Sequence, residues 1–365
     1  MKSLKLNADY EMQLFSGKKG TPLINQSLEF LLFFLEKSPV YSLKKYSAEY
    51  LDYVEEITTH RPELTTVDLA QNYWGALKNL EIERWWNSKL TSTQLIIDQN
   101  WCPDTRIIRS SSDFLNLDDQ KQYLLKDPYG MSGQKFSVIG PQLSSSEKIL
   151  ILETFLKRGE FIIEPLLNRT FDFSHYVYPN GETIYYQNFI DKKFQYGGTY
   201  FHNWSKAQVE ELAFYPLISR EEWDQNIKRW DQIHTYYHQY PNELGYSVDS
   251  FAYEENGQIK IRPMAEVNYR RTMGRISFEL AEKFAQKESQ SLTVLVKNHN
   301  SPKPIWKILK ESNKDWGRDV KIFALSPGDT RFDFIFISIQ KNVDYKIILN
   351  ELKKLLPDGD FSIQL

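Results

Sequence analysis

A carboxylate, an amide and a guanidinium occupy alternate positions in one stretch of the chain, Glu266-Val267-Asn268-Tyr269-Arg270. A further carboxylate, Asp249, lies upstream of it. Mg²⁺ prefers carboxylate and amide oxygens, and phosphate oxygens often complete its octahedron. A guanidinium such as that of Arg270 can hold phosphate or a developing anion. The residue types therefore indicate metal-assisted handling of a phosphate group.

These side chains belong to a predicted β-hairpin over residues 245–271. Apolar residues alternate with small or polar ones on both sides of Asn256-Gly257, as expected for half-buried strands. Asn-Gly is the strongest short-range signal for a two-residue type I′ turn. The turn therefore fixes where the two strands of the hairpin meet.

The register of this hairpin decides which side chains lie together. If Glu255 pairs with Gln258, Asp249 faces Met264 on the opposite strand. Side chains alternate between the two faces of a sheet, and the residues that then share a face with Asp249 are Met264, Glu266, Asn268 and Arg270. Pro263 could introduce a bulge that shifts this register. The alternative is a surface hairpin whose polar face meets water.

A lysine and a glycine-containing loop lie upstream. Lys126 ends a predicted strand, and Gly130-Met131-Ser132-Gly133 leads to another strand over residues 136–139. The spacing is not that of a Walker P-loop, which runs into a helix. The loop could fold over phosphates, whose oxygens the lysine ammonium could reach. The alternative is an ordinary hairpin turn, in which glycine is common.

A buried-type strand over residues 161–167 contains Glu164, followed by Pro165. A carboxylate in a core needs hydrogen-bond donors, because burying it without a partner is costly. The exocyclic amine of adenine or a ribose hydroxyl would serve. The alternative is an edge strand with Glu164 in water, a position that Pro165 tolerates equally well.

The remaining elements frame these motifs. Lys89 stands at the start of a predicted helix that reaches Ile97. Residues 10–15 alternate like a first strand. Two further helices are predicted from capping-box patterns that begin at Ser205 and Ser219.

Composition narrows the class of protein. With 45 basic and 48 acidic residues in 365, the net charge is −3, which argues against a nucleic-acid binder. The apolar run 30–35 is shorter than the ~20 residues that span a bilayer. The first residues lack the apolar segment of a signal peptide, and the single Cys102 fits a reducing compartment. We expect a cytoplasmic protein without nucleic-acid or membrane partners; the sequence leaves its oligomeric state open.

The order of these motifs resembles the ATP-grasp superfamily of ADP-forming ligases over residues 87–281. The most specific part is the Glu-x-Asn-x-Arg stretch that begins at Glu266. The resemblance implies that Asp249, Glu266 and Asn268 ligate Mg²⁺ and that Arg270 and Lys126 are catalytic. The residues that it assigns to ATP are Lys89, Lys126, Gly130, Ser132, Gly133, Glu164, Pro165, Leu166, Leu167 and Asp172. Many members carry glutamate where Asp172 stands.

The resemblance also implies a mixed α+β and α/β chain with four segments. Residues 1–86 would form a small α/β domain of the kind that precedes an ATP-grasp fold. Residues 87–160 would form the small ATP-grasp lobe with the glycine loop, and residues 161–288 the large lobe with the metal site. Residues 291–365 read as a compact C-terminal α+β module.

The reaction that the resemblance implies transfers the γ-phosphoryl group of ATP to a carboxylate. An amine or thiol then attacks the acyl phosphate, and ADP is released. The substrates would be small-molecule or peptide carboxylates and amines, with Arg271, Arg275 and residues 196–199 as candidate contacts. The alternative is an ATP-binding scaffold or sensor that keeps the fold without turnover.

Overall fold

The chain is described by a computed structural model. Its described residues are 2–16, 22–68, 70–114, 117–129, 136–191, 195–212, 214–239, 243–297, 301–312, 316–330, 332–340, 342–361 and 363.

The first part of the chain forms a small parallel sheet with helices around it. Its strands are β1 (Leu4–Lys5), β2 (Val40–Tyr41), β3 (Leu64–Thr65) and β4 (Gln71–Asn72), in the order β3-β2-β1-β4. Its helices are α1 (Tyr10–Ser16), α2 (Pro22–Gln26), α3 (Leu31–Leu35) and α4 (Ala48–Thr58). The strand predicted over residues 10–15 is wrong, since this segment is α1. Tyr10 and Leu14 lie four residues apart and are both buried, which is the spacing of one helical face.

The second part forms a small antiparallel sheet. Helices α5 (Leu80–Asn87) and α6 (Lys89–Asp98) lead into β5 (Arg106–Ile108), β6 (Tyr123–Lys126), β7 (Phe136–Ile139), α7 (Ser145–Leu156) and β8 (Phe161–Pro165). The strand order is β5-β8-β6-β7. The predicted strands at Lys126 and at residues 136–139 are confirmed, whereas Gly130, Ser132 and Gly133 lie outside the described residues.

The third part is built on one large sheet. Its strands are β9 (Asn168–Val177), β10 (Thr183–Ile190), β11 (Tyr196–Phe201), β12 (Tyr246–Glu255), β13 (Gln258–Asn268), β14 (Gln290–Lys297), β15 (Val320–Ala324), β16 (Asp333–Ile339) and β17 (Asp360–Phe361). Their order is β13-β12-β9-β10-β11-β14-β16-β15, with β17 beside β14. The helices of this part are α8 (Arg220–Tyr237), α9 (Met273–Phe284), α10 (Ile305–Glu311) and α11 (Tyr345–Leu355). Short 3₁₀ turns cover Ser111–Phe114, Val209–Glu211 and Tyr215–Leu217.

The large sheet runs across the predicted boundary between residues 288 and 291. Strand β11 pairs with β14, and Gly198 packs so closely that a Cβ there would lie 2.5 Å from the Thr293 carbonyl oxygen. The outer strand β15 is covered by α4, where the Tyr53 hydroxyl accepts a hydrogen bond from the Ala324 N–H. Covering an edge strand removes a site for unwanted strand pairing. The four-segment division remains a prediction, while the mixed α/β class with parallel and antiparallel sheets is confirmed.

The hairpin of β12 and β13 follows the predicted register only in its outer half. Phe251 still pairs with Arg262, but Asp249 then pairs with Glu266, so the predicted pairing of Asp249 with Met264 is wrong. Residues 263–265 face a single residue of β12, as in a β-bulge. The Pro263 carbonyl at this bulge accepts hydrogen bonds from the Ser250 hydroxyl (2.8 Å) and the Trp230 indole (2.9 Å). Met264 packs in the core beneath α8, whereas the acidic residues keep a common face because the bulge adds two residues.

One of the two helices predicted from capping boxes is wrong. The segment that follows Ser205 is not helical, and Ala207 there has a left-handed backbone with φ of 41°. The second is confirmed as α8, whose first turn donates the Glu222 N–H to the Ser219 hydroxyl (3.2 Å). Among the described residues, every helix is too short or too polar to cross a membrane.

Candidate functional site

A cleft of about 270 Å³ opens between the small sheet and the large sheet. Strands β6 and β7 and the start of α6 form one wall, and strands β9 to β13 form the other. Of the assigned residues that the structure describes, seven line the cleft: Lys89, Lys126, Asp172, Asp249, Glu266, Asn268 and Arg270. Glu164 and the segment 165–167 are not in its lining.

Two carboxylates face each other at the centre of the cleft. Asp249 on β12 pairs with Glu266 on β13, so the bulge places them side by side. The oxygens of Asp249 accept hydrogen bonds from the Ser174 hydroxyl (2.7 Å) and the Asn268 amide (2.8 Å). Glu266 lies 2.6 Å from the Lys89 ammonium. A lysine at the start of α6 is thus held by an acid of the large sheet.

The pKa values of the two carboxylates shift in opposite directions. Burial, followed by repulsion from Glu266, raises the pKa of Asp249 above its usual range. Burial alone would also raise the pKa of Glu266, but the attraction and hydrogen bond of Lys89, together with more distant cations, lower it below its usual range. Glu266 therefore carries a negative charge whose partner is Lys89, and a second cation beside Asp249 would favour ionisation of both acids.

The oxygen donors fit a hard cation. Asp249 and Glu266 supply adjacent carboxylates, and Asn268 supplies an amide whose oxygen accepts from Arg270 Nη2 at 3.0 Å. Within the described chain, no three His, Cys, Asp or Glu side chains come together in a way that could hold a metal ion. A Mg²⁺ ion here would therefore take its remaining ligands from phosphate or water, as Mg²⁺ commonly does.

Glu164 lies in a buried ion-pair cluster. Its two oxygens lie 2.5 Å from the Lys126 ammonium and 3.6 Å from Arg262 Nη2. The need for donors that the sequence indicated is met inside the protein by Arg262, which the sequence reasoning missed. The exposed edge strand offered as the alternative is wrong, because Glu164 is buried and β8 lies between β5 and β6.

Arg169 is a second residue that the sequence reasoning missed. It lines the cleft, forms an ion pair with Asp172 and packs over the Phe251 ring at 4.2 Å. Burial lowers the pKa of Arg169 to about 10, although Glu164 opposes this shift. Residues three apart on a regular strand point to opposite faces. The register of β9 shifts at Thr170, which brings the two side chains together.

A chain of polar side chains supports Asp249 from the neighbouring strands. The Asn188 amide donates to the Ser174 hydroxyl at 2.6 Å, and Thr199 Oγ1 donates to Asn188 Oδ1 at 3.4 Å. The Tyr196 hydroxyl lies 2.9 Å from Thr199 Oγ1 and lines the far end of the cleft. Three neighbouring strands, β9 to β11, thus hold the Asp249 carboxylate through side chains that no local pattern in the sequence marks.

Arg270 lies at the end of the cleft beside the first domain. Its Nε donates to Glu11, its Nη1 donates to the Arg271 carbonyl at 3.0 Å, and its guanidinium lies 5.2 Å from the Trp74 ring centroid. The two neighbouring arginines lie elsewhere. Arg271 packs on the Tyr73 ring and Arg275 on the Tyr178 ring, and neither lines the cleft.

Comparison with solved structures identifies the architecture. N5-carboxyaminoimidazole synthetase from Staphylococcus aureus superposes with a TM-score of 0.53 and 10% identity, over 91% of this chain and 95% of that chain. Its ADP complex gives a TM-score of 0.52 and 9% identity over the same shares. An ADP complex of N5-carboxyaminoimidazole ribonucleotide synthetase gives 0.50 and 12%, over 87% of this chain and 85% of that chain. The chain has the ATP-grasp fold.

No family model and no curated protein sequence matches the chain. The chemistry of the site in this ATP-grasp fold therefore follows from its own geometry. The charged side chains that line the cleft are equal in number and opposite in sign: Lys89, Lys126, Arg169 and Arg270 against Asp127, Asp172, Asp249 and Glu266. Such a cleft can bind a polyanion together with a divalent cation, because each then has partners of opposite charge.

Proposed function

We propose that this chain is an ATP- and Mg²⁺-dependent ligase that joins a carboxylate to an amine or thiol through an acyl phosphate and releases ADP. The observation that carries the proposal is the contact across the cleft between Lys89 of the small lobe and Glu266 of the Asp249–Glu266 pair. The contact supports the proposal because a lysine that could bind phosphate lies beside two carboxylates that could hold Mg²⁺.

The nucleotide would lie between the two sheets of the ATP-grasp fold. Lys89 and Lys126 would leave their present acidic partners to contact phosphate oxygens, while Asp249, Glu266 and Asn268 hold Mg²⁺. The bound ion would neutralise charge on the phosphates. The segment Glu164 to Leu167, with Asp172, would hold adenine and ribose, and the loop with Gly130, Ser132 and Gly133 would cover the phosphates.

Arg270 would act at the γ-phosphate end. There a carboxylate oxygen of the acceptor attacks phosphorus, ADP leaves, and the amine or thiol then displaces phosphate from the acyl group. The protein contributes positioning and charge neutralisation, the usual burden in phosphoryl transfer. The acceptors would be small-molecule or peptide carboxylates, and the protein would work in the cytoplasm.

The test measures binding and turnover separately. MgATP binding is measured by calorimetry, and ADP and phosphate release are followed over a panel of paired carboxylates and amines. We expect submillimolar MgATP binding and release of both products with at least one pair. Failure of the wild-type protein to bind MgATP would contradict the proposal. Tight binding with no turnover of any pair would instead support an ATP-binding scaffold or sensor.

A further inference from the structure

Two residues of the first domain contact the guanidinium of Arg270, which lines the cleft. Glu11, in the first turn of α1, pairs with Arg270 Nε, and both side chains are buried, with 10% and 15% exposure. Trp74, in the loop after β4, lies against the guanidinium and also lines the cleft. Arg270 is thus held by Glu11 and Trp74 of the first domain as well as by Asn268, one of the proposed metal ligands.

The backbone on the two sides of Arg270 is tied to the end of α5 and to the loop that contains Trp74. The Tyr269 N–H donates to Asn87 Oδ1 at 3.0 Å, and the Arg271 N–H donates to the Trp74 carbonyl at 3.0 Å. The Trp74 loop is itself fixed by Asn7, whose Oδ1 accepts from the Trp74 N–H at 2.9 Å. The segment that follows β13 is therefore anchored on both sides of Arg270.

The hydrogen bonds of Arg270 leave room for a ligand. Glu11, the Arg271 carbonyl and Asn268 Oδ1 each accept from a different nitrogen of the guanidinium. An arginine carries five N–H donors, so two of them have no acceptor among the residues that the structure describes. Because the fork is planar and its orientation is fixed by Glu11 and Trp74, those donors have a defined direction in the cleft.

We infer that Glu11 and Trp74 are positioning residues for Arg270 and that the first domain completes the active site through them. This inference rests on the proposed function. Neither residue would contact the reacting atoms. Glu11 holds the guanidinium where charge develops on the transferred phosphoryl group, and preorganised donors of this kind act mainly on the transition state. A catalytic group needs neighbouring residues that lock its position by packing and hydrogen bonds.

The chain supplies a matched control. Glu279 and Arg275 form a second ion pair, with exposures of 13% and 16%, and Arg275 also packs on an aromatic ring. Neither residue lines the cleft. Glu279→Gln therefore removes the same charge from a similar environment without touching Arg270.

The experiment compares MgADP binding with and without aluminium fluoride, which mimics the planar phosphoryl group in transfer. We expect aluminium fluoride to lower the Kd of the wild-type protein for MgADP, and the factor by which it does so is called the enhancement. Glu11→Gln should reduce this enhancement by about tenfold to a hundredfold, the range for one charge-assisted hydrogen bond, with MgADP binding alone unchanged. Glu279→Gln should leave both constants unchanged. Trp74→Leu gives an independent variant that should also reduce the enhancement.

Arg270→Ala completes a double-mutant cycle. If Glu11 acts through Arg270, the double variant loses no more enhancement than Arg270→Ala alone. Additive losses, or full enhancement in Glu11→Gln when Arg270→Ala has lost it, would overturn the positioning role. A wild-type protein that does not bind MgADP would contradict the proposed function itself, so the two failures are distinct. Folding of each variant is checked by circular dichroism. If Glu11→Gln does not fold, Glu11→Asp takes its place.

Discussion

Lys126 tests the nucleotide site most directly. Its ammonium lies 2.5 Å from Glu164, and its side chain is 17% exposed at the wall of the cleft. Lys126→Met removes the charge and keeps most of the side-chain volume. We expect the Kd for MgATP to rise about tenfold to a hundredfold, because a hydrogen bond to a charged group contributes about 1.5–3 kcal/mol.

The same substitution has a cost in stability that can be worked out from the ion-pair cluster. Removing one partner of a buried pair typically costs ~3–5 kcal/mol, because it leaves an uncompensated charge. Here Arg262 remains 3.6 Å from the other oxygen of Glu164. We therefore expect the free energy of unfolding to fall by only about 2 kcal/mol, which leaves the variant folded for the binding measurement.

The assay is calorimetric titration with MgATP, combined with urea denaturation. Lys148→Met is the control, since Lys148 is 14% exposed, pairs with Asp119 at 2.7 Å and lies on α7 beside the same small sheet, away from the lining of this cleft. It should bind MgATP like the wild-type protein. Wild-type affinity in Lys126→Met, or equal losses in both variants, would refute the assignment of Lys126 to the phosphates.

Three further perturbations test the rest of the site and the core. Glu266→Gln should weaken nucleotide binding only when Mg²⁺ is present, because it removes a proposed metal ligand. The Kd values for ATP measured in Mg²⁺ and in EDTA should then differ less in the variant than in the wild-type protein. An equal difference in the two proteins would exclude that role. Arg270→Ala and Arg270→Lys should both lower kcat by about 10²-fold with little change in KM, since a lost transition-state donor has that effect; steady-state kinetics with an active substrate pair decides this, and unchanged kcat in both variants would remove Arg270 from the mechanism. Burial, followed by repulsion from its histidine neighbours, lowers the pKa of His234 to about 4 and that of His175 well below its usual range. Because unfolding lets these residues bind protons, their contribution to stability is present above about pH 6.5 and is lost as the pH falls toward 4. It should amount to about 2 kcal/mol for His234 between pH 7 and pH 5. Urea unfolding at both pH values should show a smaller drop for His234→Phe, and an equal drop would contradict the assignment.

Local features of the site could be predicted from the sequence. Asn256 and Gly257 form the tight turn with φ of 53° and 74°, and the Glu255–Gln258 pair sets the outer register as predicted. Ser219 caps the start of α8, and Lys126 ends a strand, as predicted. These features depend on backbone preferences and hydrogen bonds within a few residues, which a sequence pattern records directly.

The tertiary structure decided which of these groups meet. Met264 does not share the acidic face, because a bulge at residues 263–265 changes the register there. The Pro263 carbonyl accepts hydrogen bonds from Ser250 and from Trp230, which lies 33 residues away in the chain. Arg169 joined Asp172 through a register shift, not through strand alternation.

The longest-range contacts were the least predictable. Arg270 pairs with Glu11, 259 residues away, and Lys89 pairs with Glu266 across the cleft. The residues next to Glu11 and Glu266 in the sequence do not predict which cation each of these acids pairs with. The strength of an ion pair depends on the distance between the two charges. Here that distance is set by the packing of elements that lie far apart in the sequence. The sequence by itself therefore determined the residue types and local elements of the site, and the tertiary structure determined its ion pairs.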